Sequence, residues 1–195
     1  MQHLLTPHTR KIEPFAWWDG AFTSEQLDWL QQKAKESGES AQIGGASQQG
    51  EVNDNERRSE VNWLHKSPEC AWAFERLAHV ASSLNSQYFG FDLTGFGEPI
   101  QLTNYIEARQ GTYSWHQDFV RSGTSRKLSM VLQLSDPSEY EGGELQLLNS
   151  GQPTRINKKR GRITVFPAWT LHQVTPVVKG SRQTLVVWIS GPMFK

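Results

Sequence analysis

The stretch FPAWTLHQVTPVVKGSRQTLVVWI, residues 166–189, is where the fold can be read most directly. Within it HQVTPV (172–177) and, running one residue further, RQTLVVWIS (182–190) have the alternating, β-branched texture of short strands. Upstream, PIQLTNYIEA (99–108), KLSMVLQLS (127–135), ELQLL (144–148) and RITVFP (162–167) read the same way, with turn residues between them. Many short strands without intervening helices predict an antiparallel sandwich or jelly roll from about residue 98 onward.

The first half reads as helical support. In TSEQLDWLQQKAKES (23–37), Thr23 with Gln26 forms a capping-box pattern, and Leu27, Leu30 and Ala34 recur at helical spacing. A second helix is expected from Ser67-Pro68-Glu69, with a Ser cap and Pro in the first turn. Cys70, Phe74, Leu77, Ala78, Ala81, Leu84 and Tyr88 continue it as an apolar stripe, and the following sheet is the surface both stripes would cover. Between the helices, 38–58 is rich in Gly, Ser, Gln and Asn, so it reads as a mobile functional loop or a plain insertion. SEVNWL (59–64) follows as a short strand. No repeat or linker divides the chain, and 1–195 reads as one domain, with 1–97 supporting a core at 98–191.

Twenty basic and twenty acidic side chains leave no formal net charge, which argues against a dedicated nucleic-acid or membrane-surface binder. Cys70 is the single cysteine, so no internal disulfide or cysteine-based metal site is available, consistent with a reducing cytoplasm. MQHLLTPHTRK lacks the apolar core of a signal peptide, and the longest apolar runs are far too short to cross a bilayer. A cytoplasmic protein is expected, with no membrane partner. RINKKRGR (155–162) is a local basic run, and Asn157 to Gly161 within it reads as a solvated hairpin turn.

YSWHQDF (113–119) sets His116 and Asp118 two positions apart, on one face of any strand that contains both. With six histidines in the chain, roughly one such sequence in five would show this pair by chance, and a buried His–Asp hydrogen bond accounts for it equally well. His172 strengthens the case because it lies in the apolar C-terminal half. Two imidazoles and a carboxylate can occupy one face of a metal and leave positions open, as in non-haem Fe(II) oxygenases. Ten residues on, Arg182 begins a strand on which Thr184, Val186 and Trp188 share its face. A guanidinium inside a barrel needs an anionic partner, and a dicarboxylate can supply one bidentately.

The order His116-x-Asp118, Glu141-Gly-Gly-Glu-Leu145, His172 and Arg182 resembles the Fe(II)- and 2-oxoglutarate-dependent dioxygenases of the prolyl-4-hydroxylase type. LSDPSEYEGGELQL (134–147) and the 166–189 stretch are similar to the PKHD-type hydroxylases in that group. The resemblance covers about 99–190. It implies a mainly β protein with N-terminal helices, its double-stranded β-helix (jelly roll) core carrying the helices on one sheet. It implies His116, Asp118 and His172 as Fe(II) ligands and Arg182 as the clamp on the distal carboxylate of 2-oxoglutarate. Tyr105, Gln133, Thr184 and Trp188 are further candidate co-substrate contacts, Gln133 standing where those enzymes often carry a tyrosine. Tyr113 and Arg58 are candidate substrate contacts, with Trp115, Phe119, Val186 and Trp188 as apolar walls.

The implied reaction consumes 2-oxoglutarate and O2, hydroxylates a C–H bond and releases succinate and CO2, with ascorbate a candidate reductant. A prolyl or other peptidyl substrate comes first, a free amino acid or small metabolite second, and nucleic acid last. The competing readings are a cupin-like metal or small-ligand binder and a structural β-sandwich module. Oligomeric state is not legible.

Overall fold

The structure, a computed structural model, describes residues 12–36, 38–42, 52–119 and 125–193. In chain order the elements are β1 (Ala16–Trp18), α1 (Ser24–Lys35), β2 (Glu39–Ser40), β3 (Arg57–Arg58), β4 (Glu60–Leu64) and α2 (Ala71–Leu84). There follow β5 (Gly95–Phe96), β6 (Ile100–Ile106), β7 (Thr112–His116), β8 (Ser125–Gln133), β9 (Tyr140–Gly142) and β10 (Leu145–Leu148). The last four are β11 (Thr154–Arg155), β12 (Ile163–Pro167), β13 (Leu171–Val174) and β14 (Val177–Gly191).

Two antiparallel sheets face each other. The larger runs β1-β12-β8-β14-β6-β4-β2, with β5 and β9 paired to β14; the smaller runs β11-β10-β13-β7-β3. Apart from the β10–β11 pair, neighbours in both sheets are not consecutive in sequence, as the jelly-roll expectation requires. β14 is the longest strand: Val177–Gly180 pairs with β9, and the residues beyond pair with β6 and β8.

Alternation along the large sheet decides what goes where. Leu128, Met130 and Leu132 of β8, Leu185, Val187 and Ile189 of β14, and Ile100 and Leu102 of β6 turn outward under the helices. They meet Leu30 and Ala34 of α1 and Phe74, Leu77, Val80 and Leu84 of α2 in one apolar cluster. Burying each such Leu or Ile contributes about 1.5–3 kcal/mol, so this layer holds helices to sheet. The opposite face of the same strands is buried too, yet rich in polar groups: Gln101, Thr103, Ser129, Gln133, Thr164, Arg182 and Thr184. The principal apolar core therefore lies outside the barrel, and the space between the sheets is left for chemistry.

Helix α1 starts as expected: the Thr23 hydroxyl accepts from the Gln26 amide, and the Gln26 side chain accepts from the Thr23 amide. Helix α2 starts later than expected. Residues 68–70 form a separate turn closed by the Cys70 amide donating to the Ser67 carbonyl, and Ser67 lies against the Cys70 sulfur instead of capping a helix. Cys70, at φ −119° and ψ 7°, interrupts helical geometry there. Beyond Leu84 the helix widens into a π turn, Asn85–Phe89, ended by Gly90 in the left-handed region.

Three further expectations are redrawn. The strand expected over 172–177 ends at Val174, since Pro176 has no N–H for the ladder, and Val177 already belongs to β14. The long loop is shorter than 38–58, because 39–40 and 57–58 are strands; residues 43–51 lie outside the described residues. Residues 157–161 are no hairpin turn: they cross from β11, which pairs with β10, to β12, which pairs with β1 and β8.

Candidate metal centre

Strands β7 and β13 are antiparallel neighbours, and His116 and His172 are direct partners across them, with ring centroids 4.1 Å apart. Asp118 lies two residues past the end of β7, where its amide donates to the Ala168 carbonyl at 2.9 Å. That bond folds the carboxylate back beneath the two rings. Its Oδ1 lies 3.9 Å from His116 Nε2 and its Oδ2 3.5 Å from His172 Nε2. One ligand atom from each of the three side chains falls within a 4.8 Å group. Convergence thus depends on strand pairing and a turn, not on His116 and Asp118 sharing a strand.

The hydrogen bonds orient each ligand. His116 Nδ1 faces the Ser114 carbonyl at 2.7 Å and His172 Nδ1 the Thr170 carbonyl at 2.9 Å. A carbonyl only accepts, so both Nδ1 atoms carry the proton and both Nε2 lone pairs face the carboxylate. Ser129, from the inner face of β8, donates to Asp118 Oδ2 at 2.6 Å. Burial, reinforced by His172, pushes the His116 imidazolium down to about 3, so this ring is neutral near pH 7. Burial pushes the Asp118 carboxyl up, but His172, His116, Arg126 and the Ser129 hydroxyl outweigh it and leave it at about 2. A buried carboxylate beside neutral nitrogen donors suits a divalent cation. The donor set is that of a three-ligand site with positions to spare.

Arg182 is 3% exposed and occupies a cleft on the same inner face. Its Nε donates to Gln133 Oε1 at 3.2 Å, and its guanidinium stands over the Tyr105 ring at 5.6 Å. Gln133 in turn donates to the Tyr140 hydroxyl at 3.1 Å. A phenol is therefore present beside Gln133 after all, supplied by β9. Thr184, opposite Gln133 on β8 and Thr103 on β6, is buried within the same interior. Gly143 makes room for Arg182: a Cβ there would stand 3.1 Å from Arg182 Cδ and 2.9 Å from a Val177 methyl, at φ +56°.

At the mouth, Tyr113 stacks on His116 with centroids 3.4 Å apart. The two are three residues apart, which in a regular strand would put them on opposite faces. A bulge pairs Val174 with Tyr113 instead of Ser114, and this brings both rings to one side. Burial pushes the Tyr113 phenol up to about 12, so it stays a donor. Arg57 lies over the Tyr113 ring at 4.6 Å. Arg58 is turned away: its guanidinium donates to the carbonyls of Asp54, Arg109 and Gln110.

Trp188 is buried opposite Ser129, its indole N–H without a partner among the described residues, and the Arg126 guanidinium covers its ring at 3.7 Å. Arg126 is held by both oxygens of Glu98. Trp115 is 37% exposed and forms no wall; Phe166, edge-on to His172 at 4.9 Å, closes the site there. Ser129, Tyr140, Arg57, Glu98 and Arg126 carry no local sequence signal for this site.

Residues 100–190 match the profile of the 2OG-Fe(II) oxygenase superfamily. The His–Asp–His cluster and buried Arg182 lie inside that segment. Over these residues the chain is similar to 2OG-Fe(II) oxygenases.

The domain is similar to PKHD-type hydroxylases. One of Prochlorococcus marinus is 40% identical over 85 residues, covering 43% of this chain and 38% of the relative. One of a Synechococcus strain is 42% identical over 83 residues, covering 41% and 37%. Each match thus spans well under half of the relative. Solved structures share the fold. A Pseudomonas putida prolyl-4-hydroxylase aligns with TM-score 0.72 at 19% identity, covering 91% of this chain and 92% of that one. A prolyl hydroxylase from Trichoplax adhaerens, in complex with a hypoxia inducible factor peptide fragment, aligns with TM-score 0.71 at 18% identity, covering 91% and 84%. The superfamily that this segment matches implies Fe(II), 2-oxoglutarate and O2.

Proposed function

We propose that this protein hydroxylates a C–H bond of a prolyl or other peptidyl substrate, converting 2-oxoglutarate and O2 to succinate and CO2. The observation that carries this reading is the union, in one barrel, of His116, Asp118 and His172 with buried Arg182. The chemistry supplied by ferrous iron bound there is oxygen activation, coupled to decarboxylation of the 2-oxo acid.

The protein's part is orientation. Carbonyls of Ser114 and Thr170 fix the tautomers of the two imidazoles, and Ser129 holds the carboxylate. Arg182, with Gln133 and Tyr140 beside it, would hold the distal carboxylate of 2-oxoglutarate by charge-assisted bonds. Tyr105, Thr184 and Trp188 line the way between Arg182 and Asp118. Trp188 offers an N–H that has no partner among the described residues. Phe166, fully buried against His172, keeps water from the reacting face, and Tyr113 and Arg57 border the substrate entrance.

The peptidyl assignment is supported by the named activities of the similar proteins and by exposed aromatic side chains at Trp63 and Trp115. The same reading places the protein in the cytoplasm, as a reduced, buried Cys70 suits; among the described residues no helix is long and apolar enough to cross a membrane. Anaerobic titration with Fe(II) and 2-oxoglutarate should give the weak visible charge-transfer band of a chelated 2-oxo acid, and air should then release succinate. A binder without turnover would give no succinate, coupled or uncoupled.

A further inference from the structure

The basic run at 155–162 has a use that its solvated appearance conceals. Of its five cations, four pair with carboxylates: Arg155 with Glu144, Lys159 and Arg162 with Asp19, and Arg160 with Asp28. Lys158 has no carboxylate within ion-pair distance among the described residues. It turns inward, its ammonium donating to the Gly142 carbonyl at 2.6 Å and standing over the Tyr140 ring at 4.7 Å. The face it reaches is the outer end of the cleft that contains Arg182, Gln133, Gly143 and Thr164.

We propose that Lys158 is a second cationic contact for the co-substrate's distal carboxylate, closing the Arg182 cleft from outside and selecting 2-oxo dicarboxylates over monocarboxylates. The proposal rests on the 2-oxoglutarate reading above.

Among the described residues no acidic side chain lines this cleft, and Arg162, also in its wall, is already held by both oxygens of Asp19. Two cations facing one space repel until an anion enters. Burial depresses the Lys158 ammonium, Glu144 opposes this, and Arg182 depresses it further. A carboxylate accepts at four lone-pair positions, enough for the Arg182 fork, a phenol and an ammonium together. The Lys158 bond to the Gly142 carbonyl fixes the ammonium beside the Gly142–Gly143 turn that admits Arg182. Succinate, which retains that carboxylate, would be held by the same pair.

The test is calorimetric binding to zinc-loaded protein, where no turnover occurs, with 2-oxoglutarate and 2-oxobutyrate as probes. Lys158→Met should weaken 2-oxoglutarate and succinate about tenfold and leave 2-oxobutyrate unchanged, while Lys158→Arg keeps most of the affinity. Lys158→Gln serves the same purpose should the Met variant fold poorly. Equal weakening of both oxo acids would reduce Lys158 to a tether for Gly142, and unchanged 2-oxoglutarate binding would remove it from the site. If the unaltered protein bound neither oxo acid, the co-substrate reading itself would fall, and this proposal with it.

Discussion

His172 lies directly opposite His116 across two strands whose sequence positions are 56 residues apart. Each ring is tied through Nδ1 to a carbonyl two residues earlier on its own chain segment, His116 to Ser114 and His172 to Thr170. The local bonds set the tautomers, and the pairing sets the distance. Replacing His116 by Ala should therefore abolish Fe(II) uptake with the fold intact. Thermal unfolding checks this: added Fe(II) or Mn(II) should raise the Tm of the unaltered protein and not that of the variant.

Ser129 donates the only hydroxyl hydrogen bond to Asp118 among the described residues. Ser129→Ala should lower metal affinity about 10- to 100-fold, the usual effect of losing a ligand's supporting partner. Competition with a chromophoric chelator measures it. An unchanged affinity would mean that Arg126, 4.0 Å from Asp118 Oδ1, suffices to hold the carboxylate.

Gly143→Ala puts a methyl against Arg182 Cδ and Val177 in a backbone conformation that costs other residues about 1–2 kcal/mol. The expected outcome is a rise in KM for 2-oxoglutarate larger than any change in kcat, with a Tm lowered by several degrees. Steady-state kinetics and a melting curve separate the two effects.

Leu185 is fully buried between the large sheet and the helices, on the face away from Arg182 and Thr184. Leu185→Ala should cost about 2–5 kcal/mol of stability, read by urea denaturation. Metal affinity of the molecules that remain folded should be unchanged, because the removed volume lies in the outer layer.

Acid stability should depend on Asp19. Hydrogen bonds from Arg162, opposed by burial and reinforced by Lys159, hold its carboxyl at about 2 against 3.8 in the unfolded chain. The folded pKa is the lower one, so the contribution is complete above pH 3.8 and disappears as pH falls toward 2. Because Asp19 is partly exposed, screening reduces it to about 1 kcal/mol. Asp19→Asn should flatten the fall of stability between pH 4 and 2, followed by circular dichroism.

The amino-acid sequence by itself marked strands β4, β6, β8, β10, β12 and β14, and the helix at α1. Period-two alternation and β-branching are local properties, and the capping box at Thr23 and Gln26 is a contact within one turn. The order of His116, Asp118, His172 and Arg182 was likewise legible, since spacing along a chain survives folding. Register was not. The bulge that stacks Tyr113 on His116, the turn that carries Asp118 beyond β7, and the choice of Arg57 over Arg58 depend on partners distant in sequence. Tyr140 beside Gln133 and Lys158 beside Tyr140 are of the same kind: each is brought in by a different connection. A one-residue slip in strand pairing would turn each of these side chains to the other face, and only the packed sheets fix that choice.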